Sequence, residues 1–259
     1  MLLLLPPSEG KAVPADGPPV DLAALTFPEL APLRQELATA LVRLCRSRSA
    51  ARTALSLGPT QDDAVDANRR VLTAPTLPAA RLYTGVLHEA LGFSSLPVTV
   101  RRRAAGHALV FSGLWGAVRY DDRLPHYRLP ITARIGRPLA AAWRPVLAAP
   151  VAAAAGAGLV VDLRSAPYAK AWQPTPELAG RVVAVSVLAE RRAGRRVETV
   201  RVSHFNKASK GRFARELLLS PTDDPAALTE RAAAAGLHGS VVAAPSGYRL
   251  DLVEPLEGR

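Results

Sequence analysis

The chain of 259 residues carries a formal net charge of +11, and it is 49% hydrophobic and 21% charged with one cysteine. This balance predicts a globular protein with a sizeable core and excludes wholesale disorder, and the single cysteine excludes both a disulfide framework and a cysteine-based zinc site. The leucine run at residues 2–5 is too short for a secretory signal and no uncharged stretch is long enough to span a membrane, so we expect a cytoplasmic protein without a membrane partner.

The first third of the chain predicts one strand followed by helices. Four consecutive leucines at residues 2–5 leave no polar face, which is typical of a buried strand. Apolar residues recur every three or four positions over 30–48, the spacing of an amphipathic helix, and Gly58 marks a predicted helix end. The other elements expected before residue 91 are an irregular loop at 12–28, a helix at 61–70, a linker at 75–78 and a helix at 79–90.

Strands and helices mix in the rest of the chain without a regular repeat, so we predict a mixed α/β (α+β) fold. Gly113 and Gly116 flank Leu-Trp and predict a tight turn. The predicted strands are 107–112, 159–163, 181–188 and 197–203, with a closing hairpin of 241–244 and 248–253. The predicted helices are 139–155, 207–219 and one that Asp224-Pro225 begins and that ends near Gly236.

The positive charge is concentrated in two segments. Residues 101–150 and residues 181–216 each carry a net charge of +7, and the rest of the chain sums to −3. If the two segments fold together, they form a positive surface that attracts phosphates and nucleic acid. The alternative is that arginine serves in this chain as an ordinary surface cation.

Lysine is scarce beside arginine, since there are 29 arginines and four lysines. A lysine that persists in such a chain indicates a site that needs a compact, titratable ammonium rather than a planar guanidinium. The four are Lys11, Lys170, Lys207 and Lys210.

The segment 6–11, Pro-Pro-Ser-Glu-Gly-Lys, follows the first predicted strand and resembles a phosphate-binding turn. The glycine frees the backbone, Ser8 offers a hydroxyl and Lys11 offers charge. The spacing is not that of a Walker A loop, and an ordinary surface turn is the alternative.

The segment 112–128 combines glycines, aromatic residues and alternating charges. Arg119, Tyr127 and Arg128 suit a phosphate with a stacked base. In the alternative interpretation this is a structural loop with Trp115 in the core and with Asp121 and Asp122 paired to neighbouring arginines.

The segment 162–170 begins where a buried strand ends, which is where open α/β sheets place ligand residues. Asp162 is a candidate for proton transfer, and Arg164, Ser165 and Tyr168 are candidates for binding. Helix capping by Asp162 or Ser165 is the alternative.

The segment 203–215 leads from a strand into a helix. Lys207, Lys210, Gly211 and Arg215 recur at the spacing of one helical face. Cations on one face repel each other and oppose the dipole of the first helical turn, so the pattern favours a bound anion over a solvated face.

Together these segments resemble the YaaA family of bacterial peroxide-stress proteins. The stretches that carry the resemblance occur in order over most of the chain: Pro6–Lys11, Tyr83–Gly85, Ser112–Leu129, Asp162–Tyr168 and Lys207–Arg215. The chain departs from the family pattern at Tyr120-Asp121, where Pro-Leu-Asp or Pro-Thr-Asp is common, and at Pro130, where Glu or Ser is usual.

The resemblance implies a single-domain fold over residues 1–259, with a mixed sheet flanked by helices and a candidate helix-hairpin-helix element within residues 30–72. It implies a cytoplasmic protein that protects against hydrogen peroxide and is linked to lower free iron and to DNA protection. A hairpin of that kind presents backbone amides to phosphate, which gives sequence-independent DNA binding.

Two hypotheses follow. The first is a stress-response protein that binds duplex DNA non-specifically through the two basic segments and limits oxidative damage. The second is an enzyme that acts on a nucleotide, a nucleobase or another phosphorylated small molecule in a cleft lined by Lys, Arg and Tyr, in stress defence or in a specialised biosynthetic pathway. No cofactor and no metal site is predicted, because the five histidines are scattered without ligand spacing.

The catalytic candidates are Lys11, Asp162 and Lys207. The candidates for contact with DNA phosphates or an anionic small molecule are Ser8, Lys11, Arg119, Tyr127, Arg128, Arg164, Ser165, Tyr168, Asn206, Lys207, Lys210 and Arg215.

Overall fold

The computed structural model describes residues 1–193, 196–201 and 206–255. The strands in these ranges are β1 (Leu2–Leu5), β2 (Thr76–Pro78), β3 (Ala108–Ser112), β4 (Gly116–Val118), β5 (Arg123–Pro125), β6 (Arg134–Ile135), β7 (Arg137–Pro138), β8 (Val160–Asp162), β9 (Val182–Ala193), β10 (Arg196–Arg201), β11 (His238–Ala244) and β12 (Gly247–Glu254). The α-helices are α1 (Ala31–Leu44), α2 (Arg48–Leu55), α3 (Asp62–Arg69), α4 (Ala79–Leu82), α5 (Val86–Leu91), α6 (Val98–His107), α7 (Leu139–Ala155), α8 (Ala166–Ala169), α9 (Pro176–Ala179), α10 (Asn206–Leu219) and α11 (Leu228–Ala234).

One large mixed sheet organises the chain and confirms the predicted fold class. Its strand order is β11-β12-β9-β8-β1-β3-β4, and β10 also pairs with β9. The central strands β12, β9, β8, β1 and β3 run parallel, while β4, β10 and β11 join antiparallel. Because parallel strands end at the same edge of a sheet, the segments that follow β1, β3 and β8 are brought together there.

The strand β1 lies at the centre of the hydrophobic core. All four of its leucines are buried, and Leu3 pairs with Ala108 of β3 on one side and Val161 of β8 on the other. A central parallel strand is covered on both faces, which explains why its sequence is uniformly apolar. The strand predicted at 2–5 and the bounds of the helix predicted at 139–155 are both confirmed. Pro145 and Pro150 are expected to interrupt that helix, but both lie within one continuous α7.

The helix predicted at 30–48 is broken into α1 and α2. Arg69 donates from Nε to the carbonyl of Cys45 at 2.6 Å and from Nη2 to that of Arg46 at 3.2 Å, so these carbonyls do not continue the helix. Ser47 instead begins α2, where its hydroxyl accepts a hydrogen bond from the Ala50 amide. The helix then ends at Ser56, which adopts a left-handed conformation with φ 54°, and not at Gly58 as expected.

The helix-hairpin-helix element predicted within residues 30–72 is not confirmed. The region consists of the three helices α1, α2 and α3, and the connection between α2 and α3 runs over residues 56–61.

Cys45 lies at the end of α1 with its thiol fully buried, and burial raises the pKa of that thiol.

Other boundaries differ because tertiary contacts decide them. The linker predicted at 75–78 contains β2, which pairs with β5, and the helix predicted at 79–90 is interrupted between α4 and α5. Asp224 accepts a hydrogen bond from the Ala226 amide in a turn, so α11 begins only at Leu228. The last two residues of the strand predicted at 197–203 lie outside the described residues.

In the described part of the chain, no helix has the length and apolar character that crossing a membrane requires.

Candidate active site

A cleft of about 720 Å³ lies at the carboxyl edge of β1 and β8. Six parts of the chain line it: residues 6–11 after β1, 85–88 at the start of α5, 127–132, 163–168 after β8, 185–187 of β9, and Lys207 with Lys210 of α10.

Most of the predicted binding residues meet in this cleft. Those that line it are Ser8, Lys11, Tyr127, Arg128, Arg164, Ser165, Tyr168, Lys207 and Lys210. Asp162, Arg119 and Arg215 do not line it. Asn206 opens α10, but its side chain lies outside the described residues.

The turn 6–11 folds back on its own lysine. The Lys11 Nζ donates to the carbonyl oxygen of Ser8 at 2.7 Å, and the Ser8 hydroxyl donates to the Gly10 carbonyl. The same Nζ lies 4.5 Å from the centre of the Tyr127 ring. Burial of the amine, followed by the charge of Arg128, lowers the pKa of Lys11 to about 7, while the Glu9 carboxylate opposes the shift.

A chain of hydroxyl groups holds the Tyr127 ring beneath Lys11. The Ser112 Oγ accepts hydrogen bonds from the amides of Leu114 and Trp115, at 3.1 and 3.0 Å. Since both lone pairs are then used, the Ser112 hydroxyl donates to the Tyr127 hydroxyl at 2.6 Å. The Tyr127 hydroxyl also pairs with that of Tyr83 at 2.9 Å. Burial raises the pKa of Tyr127 to about 12, so it remains a neutral phenol at physiological pH.

The predicted glycine turn supports this arrangement. A Cβ atom on Gly113 would lie 2.4 Å from the Leu129 carbonyl oxygen, and Gly116 has φ 74° with its Cα packed against the Trp143 ring. Trp115 is fully buried and meets Tyr127 edge to face, with ring centres 5.8 Å apart. The structural role of Trp115 is therefore part of how the cleft is built.

His88 is a site residue that the sequence analysis missed. Its Nε2 lies 3.1 Å from the Pro6 carbonyl and its Nδ1 lies 3.2 Å from the Tyr120 hydroxyl. Burial lowers the pKa of His88 to about 4, so the ring is neutral and carries one N–H. Because a carbonyl only accepts, Nε2 donates to Pro6 and Nδ1 accepts from Tyr120, which fixes the start of the turn 6–11. Proline and histidine are 82 residues apart, and nothing in their spacing predicts this contact.

Asp162 and Arg164 form an internal ion pair. The two carboxylate oxygens accept from Arg164 Nε at 2.9 Å and Nη2 at 2.7 Å, and the Arg164 side chain is 1% exposed. The guanidinium lies 4.3 Å from the Phe111 ring centre and also donates to the carbonyls of Tyr168 and Trp172. All of these groups are protein partners, so the pair shapes the segment 163–168, and the cleft-facing groups of that segment are Ser165 and Tyr168.

The basic residues of α10 do not share one role. Lys207 is exposed at the cleft, whereas the buried Lys210 donates to the carbonyl of Leu163 at 3.0 Å, and burial lowers the pKa of Lys210 to about 8. Arg215 donates to the carbonyls of Leu91 and Gly92 at the end of α5, away from the cleft. Of the three cations expected on one face of α10, Lys207 and Lys210 line the cleft and Arg215 does not.

The close contact between α10 and α5 explains why residue 211, directly after Lys210, is a glycine. A Cβ atom there would lie 2.3 Å from the Leu87 carbonyl oxygen, so only glycine lets α10 approach α5 this closely. Arg119, the remaining candidate, donates to the Ala105 carbonyl at 2.8 Å and fastens the end of α6. Among the side chains that the structure describes, no three carboxylate, imidazole or thiol groups are grouped as metal ligands.

Comparison with known proteins agrees with the resemblance seen in the motifs. A family model described as peroxide stress protein YaaA matches residues 1–238. A UPF0246 protein of Streptomyces coelicolor is 46% identical over 235 residues, covering 89% of this chain and 88% of the relative. UPF0246 proteins of Corynebacterium efficiens and Corynebacterium glutamicum are 38% and 33% identical, covering 86% and 85% of this chain and 87% and 86% of the relatives. The chain therefore belongs to the family of peroxide stress protein YaaA.

Proposed function

We propose that the protein is an enzyme that acts on a nucleotide or another phosphorylated small molecule bound in this cleft. The observation that carries the proposal is that Lys11, Arg128 and Lys207, from three distant parts of the chain, converge on one cleft. The proposal fits within the peroxide-stress role that the family name states.

The volume and walls of the cleft support a small ligand. Its volume of about 720 Å³ lies within the range of about 300–1,000 Å³ typical of small-molecule sites. Cationic groups line one part of it, and Pro130, Ile131, Val185 and Val187 supply apolar surface. A ligand that joins an anionic group to a flat, weakly polar ring system matches both, and a nucleotide is such a ligand.

Arg128 and Lys207 are the cations best placed to meet a phosphate. Arg128 pairs with Glu9 at 3.3 Å, but the Glu9 side chain is 77% exposed, and exposed ion pairs are weak enough for a phosphate to replace the carboxylate. Lys207 is exposed at the cleft. A phosphate also accepts two hydrogen bonds from one guanidinium, whereas the Glu9 carboxylate accepts one from Arg128.

Non-specific duplex DNA binding is the second candidate function, and the net charge of +11 favours it. Many arginines of the segment 101–150 donate to nearby carbonyls: Arg101 to Ser94 and Leu96, Arg103 to Leu218 and Leu219, Arg123 to Thr76, and Arg144 to Lys170. These arginines organise loops and helix ends, yet they keep their charge and contribute to a field that attracts phosphate.

Two single-charge variants separate the candidates. Isothermal titration with a panel of nucleotides, and with a random DNA duplex, would be run on Lys207→Ala and on Arg102→Ala, whose exposed side chain lies on α6 outside the cleft. If the cleft binds the nucleotide, Lys207→Ala weakens that binding about tenfold or more and Arg102→Ala leaves it unchanged. If charge alone drives binding, both variants weaken duplex binding equally and reduce its salt dependence alike. Failure of every nucleotide and phosphorylated compound to bind, or equal weakening of nucleotide binding by both variants, would reject the proposal.

A further inference from the structure

The Lys11 amine has surroundings unlike those of the exposed Lys207. Lys11 is half-buried at the cleft, and its Nζ donates to the Ser8 carbonyl at 2.7 Å and lies 3.4 Å from the carbonyl of Glu9. In the uncharged form, the amine can give its two hydrogens to these carbonyls and still direct its lone pair to a ligand in the cleft.

The charge of this amine is suppressed by its position. Burial and the neighbouring Arg128 lower the pKa of Lys11 to about 7, so about half of it is uncharged at neutral pH. An ordinary lysine, with a pKa of about 10.4, is less than about 0.1% uncharged under the same conditions. An uncharged amine contributes little to phosphate binding, but it is a nucleophile.

We propose that Lys11 is a nucleophilic amine that forms an imine with the carbonyl group of a phosphorylated aldehyde or ketone bound in the cleft. The inference rests on the proposed function, because Arg128 and Lys207 supply the phosphate contacts that bring the carbonyl group to the amine. The Nζ lone pair forms a bond to the carbonyl carbon, and one amine hydrogen passes to the carbonyl oxygen. That oxygen then leaves as water with the second amine hydrogen, and the imine nitrogen takes up a proton from solvent. The ring face of Tyr127, 4.5 Å from Nζ, attracts the positive charge of the protonated imine.

Pyridoxal 5′-phosphate, a phosphorylated aldehyde, is the probe for this inference. The protein is incubated with it at pH 7, the imines are reduced with borohydride, and the labelled lysines are identified by peptide mass mapping. We expect Lys11 to be labelled about tenfold or more faster than the exposed Lys170, which lies outside the cleft. The rate at Lys11 should rise as pH approaches 7 and level off above it, because the protonated amine is unreactive. Lys11→Met should abolish the fast label, and Lys170→Arg should leave it unchanged.

Labelling that follows exposure, with Lys170 and Lys207 ahead of Lys11, would overturn the inference. So would a rate at Lys11 that keeps rising to pH 10. These outcomes are read from the wild-type protein, so they hold even if Lys11→Met fails to fold.

A comparison with pyridoxal, which lacks the phosphate, separates this inference from the function on which it rests. Faster labelling by pyridoxal 5′-phosphate, with protection by inorganic phosphate, supports both. Equal labelling of Lys11 by the two aldehydes would reject the phosphate site and the phosphorylated ligand class together. Reversible binding of pyridoxal 5′-phosphate without any label on Lys11 would leave the proposed function in place and overturn the reactive amine.

Discussion

The helical region α1–α3 and the cleft both contain several basic side chains, but the groups that contact those side chains differ. In the helical region two partly exposed arginines meet carboxylates: Arg48 pairs with Asp62 and Asp66, and Arg52 pairs with Asp62 at 2.7 Å. Hydrogen bonds from Arg52, followed by the nearby positive charges, lower the pKa of the Asp62 carboxyl.

In the cleft the cations meet carbonyl oxygens, aromatic ring faces and one exposed carboxylate. Lys11 lies over Tyr127, Lys210 donates to Leu163, and Arg128 reaches Glu9. Lys207 is exposed at the cleft and Arg128 has only the exposed Glu9 carboxylate as an ion-pair partner, so these two cations remain available to an anion. Arg48 and Arg52 of the helical region are instead already paired with carboxylates.

The largest expected effect on stability comes from Trp115, whose indole packs against the cleft residue Tyr127. Trp115 is fully buried and packs against Tyr127, so Trp115→Ala should lower the free energy of unfolding by about 3–5 kcal/mol. Denaturant unfolding measures this loss. A change below about 1 kcal/mol would contradict the placement of this indole in the core.

The next effect concerns pH. His88 is neutral when buried and its pKa is lowered to about 4, so the unfolded chain, with a histidine pKa of about 6.5, binds more protons between these values. Stability should therefore fall as pH decreases from about 6.5 to 4, by about 3 kcal/mol in total from this residue. Thermal unfolding of His88→Asn across this range should show a shallower slope. An unchanged slope would show that other groups cause the acid sensitivity.

Substitution of the two α10 lysines should separate buried from exposed cations. Lys210→Arg forces a larger, planar group against the Leu163 carbonyl and should cost about 1–3 kcal/mol of stability. Lys207→Arg, at an exposed position, should change stability by less than about 0.5 kcal/mol. If chemical denaturation gives both variants the same free energy of unfolding, Lys210 is not packed tightly against the Leu163 carbonyl.

The smallest effect belongs to the helical region. Arg48→Ala removes ion pairs whose side chains are about two-fifths exposed, so it should leave both the free energy of unfolding and the nucleotide affinity nearly unchanged. A loss of nucleotide binding in this variant would place the anion site outside the cleft and remove the contrast between the two regions.

The sequence alone predicted the elements that are marked by a uniform run of one or two residue types. The leucines of β1 and the alanine-rich α7 need no distant partner to be recognised, and both were predicted with their observed bounds. The helix α6 was not predicted, because only Ala104 of its residues is buried and its position depends on Arg101 and Arg103 binding carbonyls elsewhere.

The candidate site was accessible to sequence reasoning where residue type was informative. The scarcity of lysine drew attention to all four lysines, and three of the four line the cleft. Tyr127 and Arg128 were predicted from the motif that contains them. The links between Ser112, Tyr127 and Tyr83, and between His88 and Pro6, join residues distant in sequence, and only the parallel sheet brings them together.

The position of Cys45 bears on how this protein takes part in peroxide defence. Hydrogen peroxide oxidises cysteine as the exposed thiolate, and the first product is a sulfenic acid. The Cys45 thiol has no exposed surface, and its raised pKa keeps it protonated. It is the one cysteine of the sequence, so the folded chain presents no exposed thiol to peroxide.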